Sequence, residues 1–213
     1  MRKSTIPFLV INLLLLIVVN ACGSANVVKD YTATPITKAI YEAPYFSNSE
    51  TDYVYKTNIS VYGNEMSGIF IAKKINETTH RVVFTTEFGN KLFDFEISET
   101  DFKINAIIAE LDKKILLTTL KKDFRLLLKK QFTVQGQFEN ATQVVFKSDD
   151  RNQFNYLFVS KSDGKLLKIV HASKRKEKIS ISFASENNFF AKNSIIQHYN
   201  IPLKIELNYF KSN

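Results

Sequence analysis

Histidine most readily supplies acid–base or metal chemistry, and this chain of 213 residues contains three. They are His80, His171 and His198, and no two of them have the spacing of a metal-ligand pair on one helix. The single cysteine excludes a multi-thiolate metal site and a disulfide framework within the chain. His198 falls in a predicted strand, where a hydrogen-bonded or exposed imidazole is far commoner than a catalytic one. We therefore expect no metal site and no cofactor.

The sequence motifs of catalytic loops are also missing. Gly63 and Gly68 match half of a phosphate-binding loop, but Ile69 stands where that motif requires lysine. There is no Gly-x-Ser-x-Gly elbow for a nucleophilic serine. Asp94 and Glu96 form an acidic pair that a glycosidase could use, yet they alternate with phenylalanines and are predicted to face solvent. The sequence does not favour an enzyme.

Cys22 has the setting of a lipidated residue. It lies in Val-Asn-Ala-Cys-Gly, residues 19–23, which resembles the lipobox of bacterial lipoproteins. The resemblance implies a diacylglyceryl group on the cysteine sulfur, cleavage of the preceding bond and acylation of the new amino terminus. Two or more acyl chains on one residue would anchor the protein stably to a membrane. The alternative is a thiol that lies by chance beside an ordinary cleavage site.

The segment before Cys22 has the organisation of a signal peptide. Arg2 and Lys3 form a positive start, and an apolar run follows from Ile6 to Val19. As a helix this run spans about 21 Å, which is short of the ~30 Å hydrocarbon core of a bilayer. We expect residues 1–21 to be a lipoprotein signal peptide, residues 22–50 to be the lipidated cysteine and a tether, and residues 51–213 to form one domain.

The basic charge is compatible with an envelope location. Lysine and arginine total 29 against 21 acidic residues, which gives a formal net charge of +8. Nucleic acid is excluded as a partner by location, because an exported lipoprotein does not meet the chromosome. The surplus could attract anionic headgroups or could simply be a solvated basic surface. We expect the bacterial cell envelope, most simply the periplasmic face of the outer membrane.

An antiparallel meander is predicted for the first half of the expected domain. Apolar and polar residues alternate from Tyr53 onward, and Tyr62-Gly63-Asn64 is a turn signal. In residues 91–97, Phe93, Phe95 and Ile97 fall on one face of a strand. Short strands joined by hairpin-length turns indicate an antiparallel sheet.

The period then changes to that of a helix. Between residues 112 and 130, six apolar side chains lie within one arc of about 120°, which is typical of an amphipathic helix. They are Leu116, Leu117, Leu120, Phe124, Leu127 and Leu128. Weaker patterns predict short helices at residues 107–111 and 37–42. The helix face that should pack on the sheet contains Leu116, Leu120, Phe124 and Leu127.

The alternation of apolar and polar residues that is typical of strands returns after residue 130 and continues to residue 209. The strongest of these strands is residues 201–209, in which five apolar residues alternate despite Pro202 near the start. We therefore predict an α+β fold: a curved antiparallel sheet, or incomplete barrel, of about 10–12 strands, with one long amphipathic helix and one or two short helices across its concave face.

This arrangement resembles LolB, the outer-membrane receptor for lipoproteins. The resemblance is most specific over residues 68–102, where a basic-hydrophobic strand leads through Glu87-Phe88-Gly89 to an alternating strand. In LolB the matching loop is Pro-Leu-Gly. The predicted helix and the closing strand pair match LolB in order, whereas LolB's tryptophans are missing here. The pattern covers most of residues 50–210.

The resemblance implies an apolar cavity for acyl chains between the sheet and the helices, and delivery of lipoproteins received from the soluble carrier LolA. In LolB the leucine of the projecting loop is needed for delivery into the membrane, and the residues at that place here are Phe88 and Gly89. A ring at such a tip can enter the boundary between headgroups and acyl chains. Alternatively, Phe88 could fold back onto the core.

Three functions stay open from the sequence. The first is a LolB-like acceptor of lipoprotein acyl chains. The second is a lipoprotein of the same scaffold that binds another hydrophobic ligand or an envelope protein. The third is a structural envelope subunit whose core is filled, because abundant phenylalanine and tyrosine can either line a cavity or occupy it.

Overall fold

The computed structural model describes residues 27–174 and 176–210. The expected signal peptide and Cys22 lie outside this part of the chain. Within it, no helix has both the length and the apolar character needed to cross a membrane.

Fifteen strands and one α-helix make up the described fold. The helix, α1, runs from Lys114 to Leu128. Thirteen strands form one antiparallel sheet, and β2 and β8 form a separate pair. The strands are β1 (Thr32–Thr34), β2 (Ile40–Glu42), β3 (Asp52–Val61), β4 (Asn64–Lys74), β5 (His80–Thr85), β6 (Lys91–Ile97), β7 (Phe102–Ile107), β8 (Gln131–Thr133), β9 (Gly136–Glu139), β10 (Gln143–Asp150), β11 (Gln153–Ser160), β12 (Leu166–Ala172), β13 (Glu177–Ala184), β14 (Asn193–His198) and β15 (Leu203–Tyr209).

The large sheet is open, with β1 at one edge and β7 at the other. Its order is β1-β9-β10-β11-β12-β13-β14-β15-β3-β4-β5-β6-β7, so the last strand of the chain joins the two halves by pairing with β3. Strand β3 shows why the chain forms this sheet, because its side chains alternate between buried and less buried positions over ten residues. The predicted antiparallel sheet with a helix is confirmed, and the barrel is not closed.

The predicted strand number was too low because three very short strands were missed. Strands β1, β2 and β9 contain only three or four residues each, too few to display a period. They form through pairing with distant parts of the chain: β1 with β9, and β2 with β8.

The segment before residue 51 belongs to the folded unit, and the expected tether is correspondingly shorter. Tyr41, Ala43, Tyr45 and Phe46 are buried in the main core. The Tyr45 hydroxyl donates a hydrogen bond to the carbonyl of Leu166, 3.1 Å away. The mixed composition of this segment suggested a tether, but the segment contains the edge strand β1 and several buried aromatic residues.

The single described helix agrees with the long predicted one, whereas both short helices were wrong. Residues 40–42 form β2, in which Ile40 pairs with Thr133. The other segment ends β7 and then forms a turn closed by hydrogen bonds to the Ile108 carbonyl. These patterns were too short to nucleate a helix, because a first turn fixes several residues for one hydrogen bond.

The sheet wraps around α1, and its core is filled by aromatic rings. Adjacent helix residues contact distant strands: Phe124 packs on Phe70 of β4 and Phe93 of β6, with centroid separations of 5.3 and 5.7 Å, and Asp123 contacts His198 of β14. Contacts this far apart in the sheet order require a curved sheet with the helix on its concave face.

Candidate functional site

The predicted helix face and sheet face meet inside the core. Leu120, Phe124 and Leu127 are buried, and Leu116 is half-buried against the same cluster. On the sheet, Phe93, Phe95 and Ile97 are also buried, and the first two rings stack at 4.6 Å. The sequence therefore identified the residues that face each other, but they fill the space between helix and sheet rather than line an empty one.

An open groove lies between α1 and the edge strand β7. Its volume is about 440 Å³, and its lining residues are Phe102, Asp112, Lys114, Leu117, Thr118 and Lys121. Phe102 and Leu117 are half-buried and pack against the main core. The groove exists because β7 ends the sheet, so that its core-facing side chains are covered by the helix on one side only.

The uncovered side of β7 is apolar. Ile104 pairs with Phe95 and so points to the same face as the core, yet 42% of its surface is exposed. The Lys121 ammonium lies 5.2 Å from the centroid of the Phe102 ring, within the range of a cation–π contact. The groove thus combines apolar side chains with two lysines and one acid, Asp112. Its volume lies in the range of small-molecule sites, about 300–1,000 Å³.

A second open depression has a volume of about 380 Å³. Its lining residues are Ala141, Thr142, Gln143, Ser160, Lys161, Ser162 and Leu167, which lie at one end of β10–β12. It is remote from the helix and from every residue that the sequence identified as a candidate.

Phe88 lies at the tip of the β5–β6 hairpin, with 93% of its surface exposed. The turn is held from within: the Thr86 amide donates to the Asn90 carbonyl at 2.8 Å, and the Gly89 amide donates to the Thr86 carbonyl at 3.0 Å. Gly89 has φ +83°, a left-handed conformation that glycine adopts without steric cost. A self-supporting turn therefore projects the ring into solvent, and the alternative that Phe88 folds onto the core is excluded.

One buried polar contact fixes the helix to the sheet. The Nε2–H of His198 donates to the carboxylate of Asp123, with 2.9 Å to each oxygen. Both side chains are buried, and burial raises the pKa of Asp123. Among the described residues, Nδ1 of His198 has no hydrogen-bond partner. The imidazole was expected to be hydrogen-bonded or exposed, whereas its carboxylate partner was not foreseen, because nothing in the sequence aligns α1 with β14.

Asp94 differs from its expected position in solvent. It lies on the outer face of β6 as the alternation requires, but its carboxylate is fully covered. Arg81 donates two hydrogen bonds to it, at 2.9 and 2.7 Å, and Lys91 donates another at 2.7 Å. These donors hold the pKa of Asp94 well below its usual range. The carboxylate is a structural anion and lies apart from the groove.

The other histidines occupy separate structural positions. The Nε2 atom of His80 is 3.0 Å from the Phe46 carbonyl, and His171 lies within 2.7 Å of the side-chain oxygens of Asn155 and Gln153. Throughout residues 27–174 and 176–210, no three side chains of the metal-ligating types come together.

Comparison with known proteins yields structural similarities at low identity. No protein-family model matches the chain, and no curated protein matches its sequence. The structure is similar to a LolA superfamily protein from Nitrosomonas europaea, with 8% identity, a TM-score of 0.49, and coverage of 78% of this chain and 87% of that chain. It is also similar to a putative outer membrane lipoprotein-sorting protein domain from Vibrio parahaemolyticus, with 9% identity, a TM-score of 0.45, and coverage of 78% and 86%. A DUF1329 family protein from Desulfovibrio piger gives 9% identity, a TM-score of 0.43 and the same coverage. Similarities at this level assign neither a family nor a function to the chain.

Proposed function

We propose that this protein is a lipid-anchored receptor of the bacterial cell envelope that binds acyl chains and passes lipoproteins to a membrane. It acts by binding rather than by catalysis. Its position is the periplasmic face of the outer membrane, and its donor is a LolA-like soluble carrier. The observation that carries the proposal is Phe88, an almost fully exposed ring on a self-supporting turn.

An exposed phenylalanine of this kind needs a functional reason. Glu87 and Asn90 surround it with polar groups, so the turn does not depend on the ring for its stability. A ring at such a tip can enter the boundary between headgroups and acyl chains of a bilayer. Phe88 also stands where the LolB resemblance places the leucine that delivers cargo.

The groove between α1 and β7 offers the acyl chain a first contact. Its lining contains the apolar Phe102 and Leu117 together with the charged Lys114, Lys121 and Asp112. Phe102 and Leu117 in this lining pack against the aromatic core under the helix, so a longer chain would enter further only if α1 moved away from the sheet. Asp123 and His198 form the polar contact that such a movement would break.

Transfer of a lipoprotein from a LolA-like carrier to liposomes tests the proposal. Phe88→Glu should reduce transfer severalfold, because a charge at the tip resists insertion into apolar surroundings. Its stability should stay within about 0.5 kcal/mol of wild type, as is usual for surface substitutions. Phe189→Glu is the matched control, since Phe189 is also a highly exposed phenylalanine but lies in the β13–β14 turn. Normal transfer by a stable Phe88→Glu variant would show that the exposed ring is not needed for delivery, and the proposed function would lose its main support.

The anchor is tested separately by Cys22→Ala. We expect the variant to leave the membrane fraction while retaining wild-type thermal stability, because the described fold begins after this residue. Ser24→Ala, a substitution two residues away that keeps the thiol, should remain with the membranes. Full membrane retention of Cys22→Ala would contradict the lipid anchor.

The packing of the core favours one other function, that of a structural envelope subunit without a ligand. The rings of Phe70, Phe93 and Phe124 occupy the space where an acyl chain would lie. Photoreactive acyl lipids distinguish the two functions. Cross-linking near Phe102 and Leu117 supports the receptor, whereas no cross-linking by a folded protein supports the structural subunit.

A further inference from the structure

Five hairpin turns lie along one edge of the sheet. The first in sheet order, Arg151-Asn152, joins β10 to β11, and we call the four consecutive turns that follow it the Phe88 edge. In sheet order they join β12 to β13, β14 to β15, β3 to β4, and β5 to β6. Three of them carry an exposed ring: Tyr199 with 57% of its surface exposed, Tyr62 with 59%, and Phe88. Neighbouring turns are connected directly, because the Tyr62 amide donates a hydrogen bond to the Pro202 carbonyl at 3.0 Å.

Tyr62 occupies a backbone conformation that its residue type disfavours. It has φ +49° and precedes Gly63 at φ +80°, as in the hairpin turns that prefer asparagine or glycine. A non-glycine residue in the left-handed region costs about 1–2 kcal/mol. The exposed ring recovers little of this through packing. Arg151 and Asn152 in the β10–β11 turn have the same left-handed conformation. The conformation therefore belongs to the two-residue hairpin turn, and the exposure of the Tyr62 ring is the feature that concerns its role.

The charges of the two sheet edges differ. On the Phe88 edge, the turn of residues 173–176 carries the exposed Lys174 and Lys176. The same edge also carries one acid, Glu87, beside Phe88. The five turns of the opposite edge carry more acids than lysines: Glu77, Glu99, Asp101, Asp163 and Glu186 against Lys161, Lys165 and Lys192. Anionic headgroups would therefore be attracted more strongly to the Phe88 edge than to the opposite edge.

We propose that the whole Phe88 edge lies on an anionic phospholipid bilayer, with Tyr62 and Tyr199 at the level of the headgroups beside Phe88 and with Lys174 and Lys176 on the phosphates. Tyrosine is suited to this position because its ring is apolar and its hydroxyl is polar. The Tyr199 hydroxyl lies 3.0 Å from the Oγ of Ser180 on β13, and more than half of the Tyr199 surface remains exposed. The inference rests on the proposed function for the presence of a membrane, and it extends the contact from one loop to four turns.

The chain contains no tryptophan, so one introduced indole reports on one position. The full-length protein is reconstituted into vesicles of phosphatidylethanolamine, phosphatidylglycerol and brominated phosphatidylcholine. Tyr62→Trp and Tyr199→Trp should be quenched by the bromines and blue-shifted. Phe189 is an exposed ring on the opposite edge, and Phe189→Trp should be neither quenched nor blue-shifted. Equal quenching at all three positions, or quenching at position 189 alone, would overturn the inference, and so would quenching at none.

Charge reversal provides a second measurement that does not depend on the turn conformation. In a Tyr199→Trp background, Lys174→Glu with Lys176→Glu should reduce the quenched fraction in vesicles that contain phosphatidylglycerol. Removing each lysine costs about fivefold in membrane partitioning, and reversal costs more. The same substitutions should have little effect in vesicles of phosphatidylcholine alone. Unchanged quenching in the anionic vesicles would contradict the basic contact.

The outcomes separate this inference from the proposed function. Impaired transfer by Phe88→Glu without quenching at positions 62 and 199 would leave the receptor function standing and reject the extended edge. Quenching at both positions with normal transfer by Phe88→Glu would establish the membrane-facing edge and reject the delivery role of Phe88.

Discussion

At the scale of single residues, the outer face of β6 contains a carboxylate that neighbouring side chains shield from water. Arg81 on β5 approaches Asp94 from the adjacent strand, and Lys91 approaches it from the same strand. Asn105 on β7 donates to both Asp94 and Glu96. This network joins three strands at the open side of the sheet, where β7 has no further partner. We infer that it stabilises the edge that forms the groove.

The first prediction concerns this carboxylate. Asp94→Asn should lower the free energy of unfolding near neutral pH by about 1–2 kcal/mol, since it weakens charged hydrogen bonds to half-exposed donors that solvent partly screens. The native pKa of Asp94 is lowered from 3.8, so its stabilisation is present above that value and is lost as the pH falls below it. The difference between variant and wild type should therefore shrink in acid.

Urea unfolding near pH 7 and near pH 3 measures this difference. Glu77→Gln removes the charge of an exposed acid in a turn and is the control, for which we expect little change at either pH. A deficit for Asp94→Asn that stays constant in acid would show that the charge of Asp94 is not what stabilises the edge.

The sequence predicted which residues of β6 enter the core but not the burial of Asp94. Alternation alone places Phe93, Phe95 and Ile97 on one face, and the structure agrees. Whether an outward carboxylate is covered depends on which side chains the next strand brings beside it. Arg81 reaches Asp94 only because β5 and β6 pair in one particular register, and register is not visible in either strand by itself.

At the scale of elements, α1 is the part of the fold that the sequence predicted best. The helix occupies Lys114–Leu128 within the expected residues 112–130, and its predicted face meets the sheet. A period of 3.6 residues over four turns is a strong signal, whereas the placement of the helix along the curved sheet is not encoded locally. Asp123 and His198 make one of the contacts that set this placement, and they are 75 residues apart in the sequence. Arg125 makes another, because it donates hydrogen bonds to the carbonyls of Ser98 and Asp101.

The second prediction tests the buried face of α1. Leu120→Asp places a carboxylate against the aromatic core, which should cost several kcal/mol, because Leu120 is buried among apolar side chains. Ile115→Asp makes the same kind of change at a position of this helix with 69% of its surface exposed. It should stay within about 0.5 kcal/mol of wild type. Thermal unfolding of both variants measures the contrast, and equal melting temperatures would refute the helix-over-sheet arrangement.

At the scale of the whole molecule, the fold class followed from the sequence, whereas the limits of the folded unit did not. Long strands such as β3 and β15 can be predicted from the sequence, because apolar and polar residues alternate in them over seven or more residues. The segment of residues 27–50 has no comparable period, since its strands have three residues each. Its place is determined by long-range contacts, in which β1 completes the sheet edge and β2 pairs with β8.

Phe46 shows how firmly this segment belongs to the core. Its ring lies 5.0 Å from that of Tyr53 and 5.6 Å from that of Tyr55. Its carbonyl is within 3.0 Å of the Nε2 atom of His80. Truncation of a single buried phenylalanine to alanine costs about 3–5 kcal/mol, and a small protein is stable by only about 5–15 kcal/mol in total.

The last prediction follows from that comparison. A chain that begins at residue 51 loses Phe46, Tyr45 and Tyr41 together, along with the partners of β8 and β9, so it should not fold cooperatively. A chain that begins at residue 27 keeps every described contact and should unfold in one sharp transition. Near-ultraviolet circular dichroism during heating compares the two, because it reports on fixed packing of the many aromatic rings. Phe46→Ala in the longer chain gives an intermediate case, with a lowered but still cooperative transition. If the chain from residue 51 unfolded as sharply and at the same temperature as the longer one, residues 27–50 would be a tether after all, and the anchored domain would stand further from the membrane.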